Sequence, residues 1–513
     1  MMISRDGART SLWQAGTDAY ISRNKHTLAQ VHDVAIVGGG ITGLTLGVLL
    51  QLLGKKCVVL EANNIGFGTT GGTTAHLNTI LDTPYTTIIK NFGKKNAQLL
   101  AQSVRAAIEL VKHNIHEYGI DCGFEETPAY LFAQTLDQQQ ALTDIYEACT
   151  DVGVASHFIQ TLPIAIPHNK VMLVERQGKF HPLRYVYGLA HAFEDAGGTI
   201  VQSCRVQGAI DKAGTVSIET TMGSFKAHAL VYATHIPPGV NILHLRCPAY
   251  RSYAMAVKLA NNNYPDGLIY DMFDPYHYYR TQEIDGENFL IVGGEDHKTG
   301  EEINTNGCFL KLESHVRSYF EVSEIVHQWS SQYFDPVDGI PYIGHLPMQP
   351  ENMYVATGFG GNGITYSHVA ALVLKSLLLN EDSIYIDLFN PGRVKPVAGF
   401  TEFTKHNADV AKNVIRKLLG KEKLETLADM ARGEGKIVQY EGHTLAIYRD
   451  EHGGLHAIDP YCQHMGCSVM WNAAERSWDC PCHGARYSVD GKFLTGPANG
   501  DLEEIVLRTL IEK

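Results

Sequence analysis

The sequence predicts two kinds of fold in one chain: a long region of mixed α/β and α+β structure, followed by a small all-β module. Three observations support this prediction. A strand, a glycine-rich turn, a helix and a second strand follow one another from residue 31, strands with alternating polarity recur between about 240 and 330, and short strands surround a group of cysteines and histidines near the end. Because one core rarely exceeds about 100–200 residues, a chain of 513 residues is expected to form several domains.

The first unit is carried by the stretch VHDVAIVGGGITGLTLGVLLQLLGKKCVVLEANN. A β-branched run precedes Gly38, Gly40 and Gly43, which fill the pattern G-x-G-x-x-G at a strand-to-helix turn. Glycines there let the backbone and the helix N-terminus approach a pyrophosphate. Glu61 ends the second strand, where an acid accepts the ribose hydroxyls of an adenosine. The unit predicts a Rossmann-type dinucleotide site, and both NAD and FAD use this unit.

Two further stretches favour FAD. The loop NNIGFGTTGGTTAHLNT, with Thr69 and Thr70, resembles the loop that lies along FAD in D-amino-acid-oxidase-like (glycine, sarcosine and D-amino acid oxidase) flavoproteins. Residues 178–210 resemble the family's return to the nucleotide domain, which implies a backbone contact from Val206 to adenine. The resemblance implies an N-terminal extension over residues 1–30 and an FAD-dependent oxidoreductase over residues 31–390.

A second glycine pattern occurs in ENMYVATGFGGNGITYSHVAALV, where Gly358, Gly360 and Gly363 also fit G-x-G-x-x-G. A second dinucleotide site would indicate an NADH-dependent flavin reductase. No β-rich strand ending in an acid follows the predicted helix, so no nicotinamide site is predicted. The stretch resembles the flavin motif of the same family, which implies that the loop residues face the flavin ring or ribityl chain. These residues are Gly358, Gly360, Gly361, Asn362, Gly363 and Ile364.

The alternating, tyrosine-rich segments within residues 240–330 predict antiparallel strands. In the resembling flavoproteins such a sheet covers the flavin and supplies the substrate pocket. The pocket candidates on it are Arg251, Tyr253, His277, Tyr279 and Arg280. The alternative is that each is an ordinary core or surface residue of a sheet.

Two departures from the family concern the substrate and the cofactor. Gln332 stands about where amino-acid oxidases carry an arginine that fixes a substrate carboxylate, which weakens the case for a carboxylate-bearing substrate. His76, a further pocket candidate, lies in register with a histidine to which dimethylglycine and sarcosine dehydrogenases attach their flavin. Its neighbours Leu77 and Asn78 differ from the family's small residues, so a packed or hydrogen-bonding histidine is favoured over covalent attachment.

The segment FNPGRVKPVAGF breaks secondary structure and predicts a domain boundary. Residues 391–432 are predicted to form a linker and a polar helical segment, with the helix or helix pair from about residue 401 to 432. Residues 433–513 are predicted to form the all-β module, which begins with three short strands.

The all-β module contains the paired motifs C-x-H and C-x-x-H, formed by Cys462 with His464 and by Cys480 with His483. Two cysteines and two histidines could hold zinc. The loops CQHMGC and CPCHG, with GKFLTGPA after them, instead resemble a Rieske domain, in which two thiolates bind one iron of a [2Fe–2S] cluster and two imidazoles bind the other. The resemblance implies these four residues as ligands. It also implies a disulfide between the remaining cysteines of the two loops, Cys467 and Cys482.

Two neighbours bear on the cluster's reduction potential. The resemblance places the hydroxyl of Tyr487 near a cysteine sulfur, whereas Ala485 replaces the serine of high-potential members. Losing a hydrogen bond to the sulfurs destabilises the reduced cluster. We therefore expect a potential in the middle or lower part of the Rieske range of about −150 to +300 mV.

Composition excludes several other classes. A formal charge of −13 and the lack of a basic run argue against nucleic acid binding. No apolar run reaches the roughly 20 residues that span a bilayer, and no secretory signal is evident, so a cytoplasmic protein is predicted. The cysteines outside the cluster loops are predicted to be reduced and buried. They are Cys57, Cys122, Cys149, Cys204, Cys247 and Cys308.

The two resemblances together imply an FAD-dependent dehydrogenase of a small amine or amino-acid-like substrate. Electrons would leave FAD singly, through the Rieske cluster, to an external one-electron carrier. Two alternatives stay open: a reductase that receives electrons through the cluster, and a non-catalytic redox sensor. A Rieske oxygenase is excluded because the chain shows no spacing for a mononuclear iron held by two histidines and a carboxylate. The oligomeric state is left open.

Overall fold

The structure, a computed structural model, describes residues 5–24, 30–393, 422–423 and 429–507. The helical segment predicted for residues 401–432 lies almost entirely outside these described residues. None of the described helices is both long and apolar enough to cross a membrane. The described α-helices are α1 (Ile41–Leu52), α2 (Thr69–Gly72), α3 (Tyr85–Phe92), α4 (Lys94–Glu117), α5 (Leu136–Val152), α6 (Pro182–Asp195), α7 (Thr305–Tyr319), α8 (Gly363–Leu378) and α9 (Ile386–Phe389).

The first sheet contains the predicted strand–helix–strand unit. Its eight strands are β1 (Val31–Val37), β2 (Cys57–Leu60), β7 (Thr199–Val201), β8 (Val206–Lys212), β9 (Thr215–Thr220), β10 (Gly223–Tyr232), β16 (Tyr342–His345) and β17 (Met353–Thr357). The central strands β17, β10, β1, β2 and β7 pair in parallel in this order. β1 and β2 are almost continuously apolar, as expected for strands covered on both faces. Helices α1 and α8 pack against each other beside this sheet.

The second sheet confirms the predicted antiparallel strands and extends beyond them. Its nine strands are β3 (His76–Leu77), β4 (Glu125–Ala133), β5 (Ser156–Ile159), β6 (Lys170–Lys179), β11 (Ala249–Leu259), β12 (Leu268–Tyr270), β13 (Tyr278–Ile284), β14 (Glu287–Lys298) and β15 (Val322–Phe334). All pairs are antiparallel except β12 with β4. β3 to β6 come from an earlier part of the chain than the predicted sheet, so the two parts of the long region are interleaved.

Two small sheets form the all-β module. One contains β18 (Glu422–Lys423), β19 (Gly435–Tyr440), β20 (His443–Arg449) and β21 (Leu455–Ile458). The other contains β22 (Met470–Asn472), β23 (Ser477–Asp479), β24 (Arg486–Tyr487) and β25 (Phe493–Thr495). The three predicted strands at the start of the module are β19, β20 and β21, and they pair as consecutive antiparallel neighbours.

The N-terminal segment joins the two regions. The side chain of Trp13 donates a hydrogen bond to the Thr73 carbonyl at 2.5 Å. On the other side, Arg9 donates to the carbonyl of Ala474 in the all-β module at 3.2 Å. Asp6, almost fully buried, pairs with the Arg486 guanidinium of that module at 2.9 Å. The described part of the extension is therefore a packed element between the two regions.

Candidate functional site

The glycine turn after β1 is shaped to bring its backbone close to a ligand. Gly38 has φ of +113°, which L side chains rarely adopt. A Cβ at Gly43 would lie 2.0 Å from the Gly38 carbonyl oxygen, so only glycine allows α1 to approach the turn this closely. The backbone N–H of Gly39 donates to Oε2 of Glu61 at 2.7 Å, which ties the end of β2 to the turn.

This turn opens into a cavity of about 300 Å³ that reaches the underside of the second sheet. Eleven of the thirteen residues predicted to bind the cofactor line it. They are Gly38, Gly40, Glu61, Thr69, Thr70, Val206, Gly360, Gly361, Asn362, Gly363 and Ile364. The other two, Gly43 and Gly358, lie behind it. Gly43 packs against the turn, and Gly358, with φ of +73°, packs beside Cys247 and Pro336.

The shape and donors of the cavity fit FAD. Two helices, α1 and α8, begin at its wall, and their N-cap residues, Gly40 and Asn362, form no side-chain cap. In the first turn of α1 the Ile41 N–H donates to Thr70 Oγ1 at 3.3 Å. Helix N-termini offer backbone donors to phosphate and to electron-rich oxygens. Glu61 and Val206 would hold the adenosine part, and the segment 360–364 would face the ring or ribityl chain. After α8 the described chain continues into α9 with no strand before residue 422, so it contains no second strand–helix–strand unit there.

Of the six pocket candidates, all within the described chain, His76 lines the cavity. Its Nδ1 lies 2.7 Å from the Tyr270 hydroxyl, and its buried Nε2 has no hydrogen-bond partner in the described chain. Burial, with the nearby guanidinium of Arg280, lowers the pKa of His76 well below its usual value. His76 is therefore a neutral imidazole at the cavity wall.

The other five candidates do not line the cavity, although all lie in the described chain. Arg251 is fully buried and donates to Oγ of Ser330 on β15. Arg280 donates to the backbone carbonyl of Thr74 at 3.0 Å, behind the cavity wall. The remaining three form side-chain hydrogen bonds on the far side of the sheet. Tyr253 is hydrogen-bonded to His297. His277 is hydrogen-bonded to Asp271, and Tyr279 to His315.

Sequence reasoning missed the polar groups that line the sheet end of the cavity. They are Asp82, Tyr270, Tyr276, Tyr278, Asp296 and Tyr333. The run YDMFDPYHYYRTQ signalled a tyrosine-rich wall, and the alternation of a strand would have separated Tyr278 from Tyr279. Asp82 and Asp296 carried no comparable signal, because each reaches the cavity from a different element.

The four predicted cluster ligands come together at the tip of the all-β module. Cys462 and His464 precede β22, whereas Cys480 and His483 lie between β23 and β24. The two imidazole rings are 4.8 Å apart, and both nitrogens of His464 are buried without a hydrogen-bond partner among the described residues. Hydrogen bonds from Cys480 and from the Tyr487 hydroxyl, which lies 3.2 Å from Cys462 Sγ, lower the pKa of Cys462 to about 7, whereas the same contact with Cys462, together with burial, raises the pKa of Cys480. Thiolate and neutral imidazole are the ligand forms that a Rieske cluster requires.

The predicted disulfide between Cys467 and Cys482 is confirmed. It joins the two ligand loops, so these cysteines are not available as ligands even though their sulfurs lie close to that of Cys480. The prediction for the cysteines elsewhere is also confirmed, because all six are buried and unbridged.

The ligand loops contact the wall of the cavity directly. Gln332, which lines the cavity, donates from Nε2 to the carbonyl of Gly484 at 2.8 Å, next to the predicted ligand His483. The backbone carbonyl of Gln332 accepts from Thr69 Oγ1 at 3.1 Å. The residue that stands near the family's substrate-binding arginine is therefore used to join the two regions.

A second contact starts at His244, in a 3₁₀-helix (Ile242–Leu245) of the long region. Its ring lies 4.7 Å from that of the predicted ligand His464, and its Nε2 donates a hydrogen bond to the Pro237 carbonyl at 2.8 Å. The segment 234–236 and Pro238 line the cavity, as do residues 493–496, 498 and 499 of the all-β module. The cluster site and the cavity thus share a wall within one chain.

Comparisons with known proteins agree with this geometry. Residues 33–377 match the family described as FAD dependent oxidoreductase (DAO). The chain belongs to this FAD-dependent oxidoreductase family. Residues 422–506 match the Rieske [2Fe-2S] domain, so the family member carries this domain at its C-terminal end. FAD and one Rieske [2Fe–2S] cluster are its cofactors, as predicted, and the zinc alternative is set aside.

Relatives of this chain match either nearly its whole length or the FAD-dependent oxidoreductase region. The chain is 34% identical over 478 residues to YhfW of Bacillus subtilis (strain 168), named as a Rieske 2Fe-2S iron-sulfur protein, covering 93% of each chain. It is 24% identical to the gamma-glutamylputrescine oxidoreductase of Escherichia coli (strain K12), over 68% of this chain and 84% of that one. The fold of glycine oxidase from Geobacillus kaustophilus matches 71% of this chain and 100% of that one, with a TM-score of 0.60 and 19% identity.

Proposed function

We propose that this FAD-dependent oxidoreductase is a dehydrogenase of a small amine or amino-acid-like substrate, which passes single electrons through its Rieske cluster to an external one-electron carrier. When bound, FAD accepts a hydride from a C–H bond next to nitrogen, whereas the cluster passes one electron at a time. The protein's part is to position the substrate carbon and exclude water.

The observation that carries this proposal is the shared wall between the cavity and the cluster site. Gln332 contacts the FAD-binding loop through Thr69 and the cluster loop through Gly484. His244 contacts the predicted cluster ligand His464 and the carbonyl of Pro237, which lies between the cavity-lining residues Ile236 and Pro238. An enzyme that passed electrons straight to oxygen would need no such contact. The names of two relatives, which refer to gamma-glutamylputrescine and to glycine, support a substrate with a C–N bond.

The part of the cavity beneath the second sheet also favours an enzyme over a non-catalytic redox sensor. A pure redox sensor needs a cluster and a partner surface, but no chamber lined by the tyrosines and carboxylates beneath the second sheet. Electrons could also flow in the opposite direction, from an external donor through the cluster to a substrate. This direction would use the same contacts, so an experiment has to distinguish it from the dehydrogenase direction.

The test is an anaerobic mixing experiment with a panel of small amines and amino acids. We expect at least one compound to bleach the flavin absorbance and, with it, to produce the electron paramagnetic resonance signal of a reduced Rieske cluster. Turnover with an artificial one-electron acceptor should accompany that signal. If dithionite produces the signal but no compound does, the dehydrogenase direction is wrong. Absence of turnover in either direction would favour a sensor.

A further inference from the structure

The sheet end of the cavity is lined by two carboxylates and four phenol rings. The carboxylates belong to Asp82, which follows β3, and Asp296, in β14. The rings are those of Tyr270, Tyr276, Tyr278 and Tyr333. The backbone N–H of Gly361 donates to Oδ2 of Asp82 at 2.7 Å, so the acidic end adjoins the loop that is expected to face the flavin ring.

No lysine or arginine of the described cavity lining lies beside these carboxylates, although His277, which does not line the cavity, offsets part of the rise that burial causes in the pKa of Asp296. Among the described residues that line the cavity, Arg205 is the only lysine or arginine, and it lies next to Val206 at the opposite end, paired with Asp501 at 3.1 Å. His76 does not supply a charge, because burial lowers its pKa well below the usual value. The sheet end of the cavity therefore has a negative balance.

Asp296 is not fully satisfied by the protein. Its Oδ2 accepts a hydrogen bond from the Tyr333 hydroxyl at 2.9 Å, and the Ser252 side chain also hydrogen-bonds to the carboxylate, but the buried Oδ1 has no partner within hydrogen-bond distance in the described part of the chain. A buried carboxylate oxygen without a donor is costly. Burial raises the pKa of Asp296 to about 7 and that of Asp82 to about 6. A bound ammonium group would supply the missing donor and favour the ionised carboxylates, whereas a substrate carboxylate would meet like charge.

We infer that the substrate is a small cationic amine without a carboxylate group, held between Asp82, Asp296 and the four tyrosine rings. This inference rests on the proposed function and narrows its substrate class. Carboxylates give charge-assisted hydrogen bonds to ammonium groups, and the faces of phenol rings attract cations. Gln332 does not replace the family's carboxylate-binding arginine, because its amide is bonded to Gly484 and Thr299.

The chemistry balances with the groups already named. The ammonium loses one proton to a cavity carboxylate and becomes a neutral amine. FAD, when bound, would accept a hydrogen of the α-carbon together with its bonding electron pair, which leaves a C=N double bond in an iminium cation. The two electrons would leave to two equivalents of the one-electron carrier, while the transferred hydrogen and the proton held by the carboxylate leave as two protons to solvent. Water hydrolyses the iminium cation to a carbonyl compound and an ammonium ion or a protonated amine.

The test compares pairs of compounds that differ by one carboxylate: cadaverine against lysine, and isobutylamine against valine. Each is titrated anaerobically into the full chain loaded with FAD and cluster, and the perturbation of the flavin spectrum gives a dissociation constant. We expect each amine to bind about tenfold or more tightly than its carboxylated counterpart. Asp296→Asn and Asp82→Asn should weaken amine binding by about tenfold or more. Asp144→Asn, an exposed change in α5, should leave it unaltered.

The outcomes separate this inference from the proposed function. Amines that perturb the flavin spectrum without reducing it would support the inference and contradict the dehydrogenase direction. Tighter binding of lysine or valine would overturn the inference, even if those compounds reduce the flavin. Failure of every amine to perturb the spectrum would also overturn it. If either variant loses its flavin, the dissociation constants of the amines and of their carboxylated counterparts for the wild-type protein still test the inference.

Discussion

Replacing Cys480 with serine is expected to remove the [2Fe–2S] cluster while FAD stays bound. Turnover with the external one-electron carrier should then fall to a small fraction of the wild-type rate. Cys480 is almost fully buried beside the disulfide and the second ligand loop, where no other free thiol of the described chain can replace it. Fe–S clusters are held by cysteine thiolates, and serine keeps the size of the side chain without the sulfur.

Iron content, the paramagnetic resonance signal and the flavin absorbance measure the two cofactors independently in this variant. Substrate should still bleach the flavin, because Cys480 does not line the cavity and the residues at its sheet end all belong to the long region. Cys149→Ser, a buried cysteine in α5 remote from both sites, is the matched control and should keep both cofactors. Full turnover with the carrier in the cluster-free variant would contradict the proposed electron path.

Replacing Arg486 with methionine is expected to lower the free energy of unfolding by about 3–5 kcal/mol, the usual cost of removing one partner of a buried ion pair. The Arg486 guanidinium is fully buried, 3.0 Å from Asp479 and 2.9 Å from Asp6. Methionine leaves both carboxylates buried without their main partner. Thermal unfolding followed by circular dichroism measures the loss. The control is Arg476→Met, because Arg476 is 54% exposed and its pair with Glu451 should contribute about 1 kcal/mol or less.

The pH dependence of this effect has a defined sign. Burial raises the pKa of Asp6 and Asp479, but in the native protein Arg486, together with Arg251 and further neighbouring groups, more than offsets burial and lowers both. The stability from these lowered pKa values is present above the usual carboxyl pKa of about 4 and is lost as the pH falls through the native values. In the methionine variant burial prevails, so both groups protonate more readily. The difference in melting temperature should therefore be smaller at acidic than at neutral pH, and a constant difference would contradict the assignment.

The pocket shows which part of the site could be predicted from the sequence. The glycine turns and the cysteine and histidine loops were predictable because each is a local pattern with one chemical use. The pocket candidates on β11 and β13 were chosen for their chemistry, but a strand alternates its faces. Ser252 and Tyr278 line the cavity, whereas Arg251, Tyr253 and Tyr279 lie on the opposite face. The sequence alone does not say which face is covered by the cavity.

The contacts between the long region and the all-β module could not be predicted from the sequence, for a different reason. Asp6 and Arg486 stand at opposite ends of the chain, and no local pattern links them. Gln332 was identified as a departure from the family, but its bond to Gly484 depends on how the long region and the all-β module pack against each other. Such contacts follow from tertiary packing, which periodicity and motif spacing do not encode.

The most direct test of the account is the rate of electron transfer between FAD and the cluster of one chain. The flavin is photoreduced anaerobically in the full chain, and reoxidation of the flavin is followed together with reduction of the cluster over a wide range of protein concentration. Because the predicted cluster ligand His464 and the segment beside the cavity contact each other through His244, we expect a first-order rate constant that does not change with concentration. A rate that rises in proportion to protein concentration, or a cluster that stays oxidised, would contradict it.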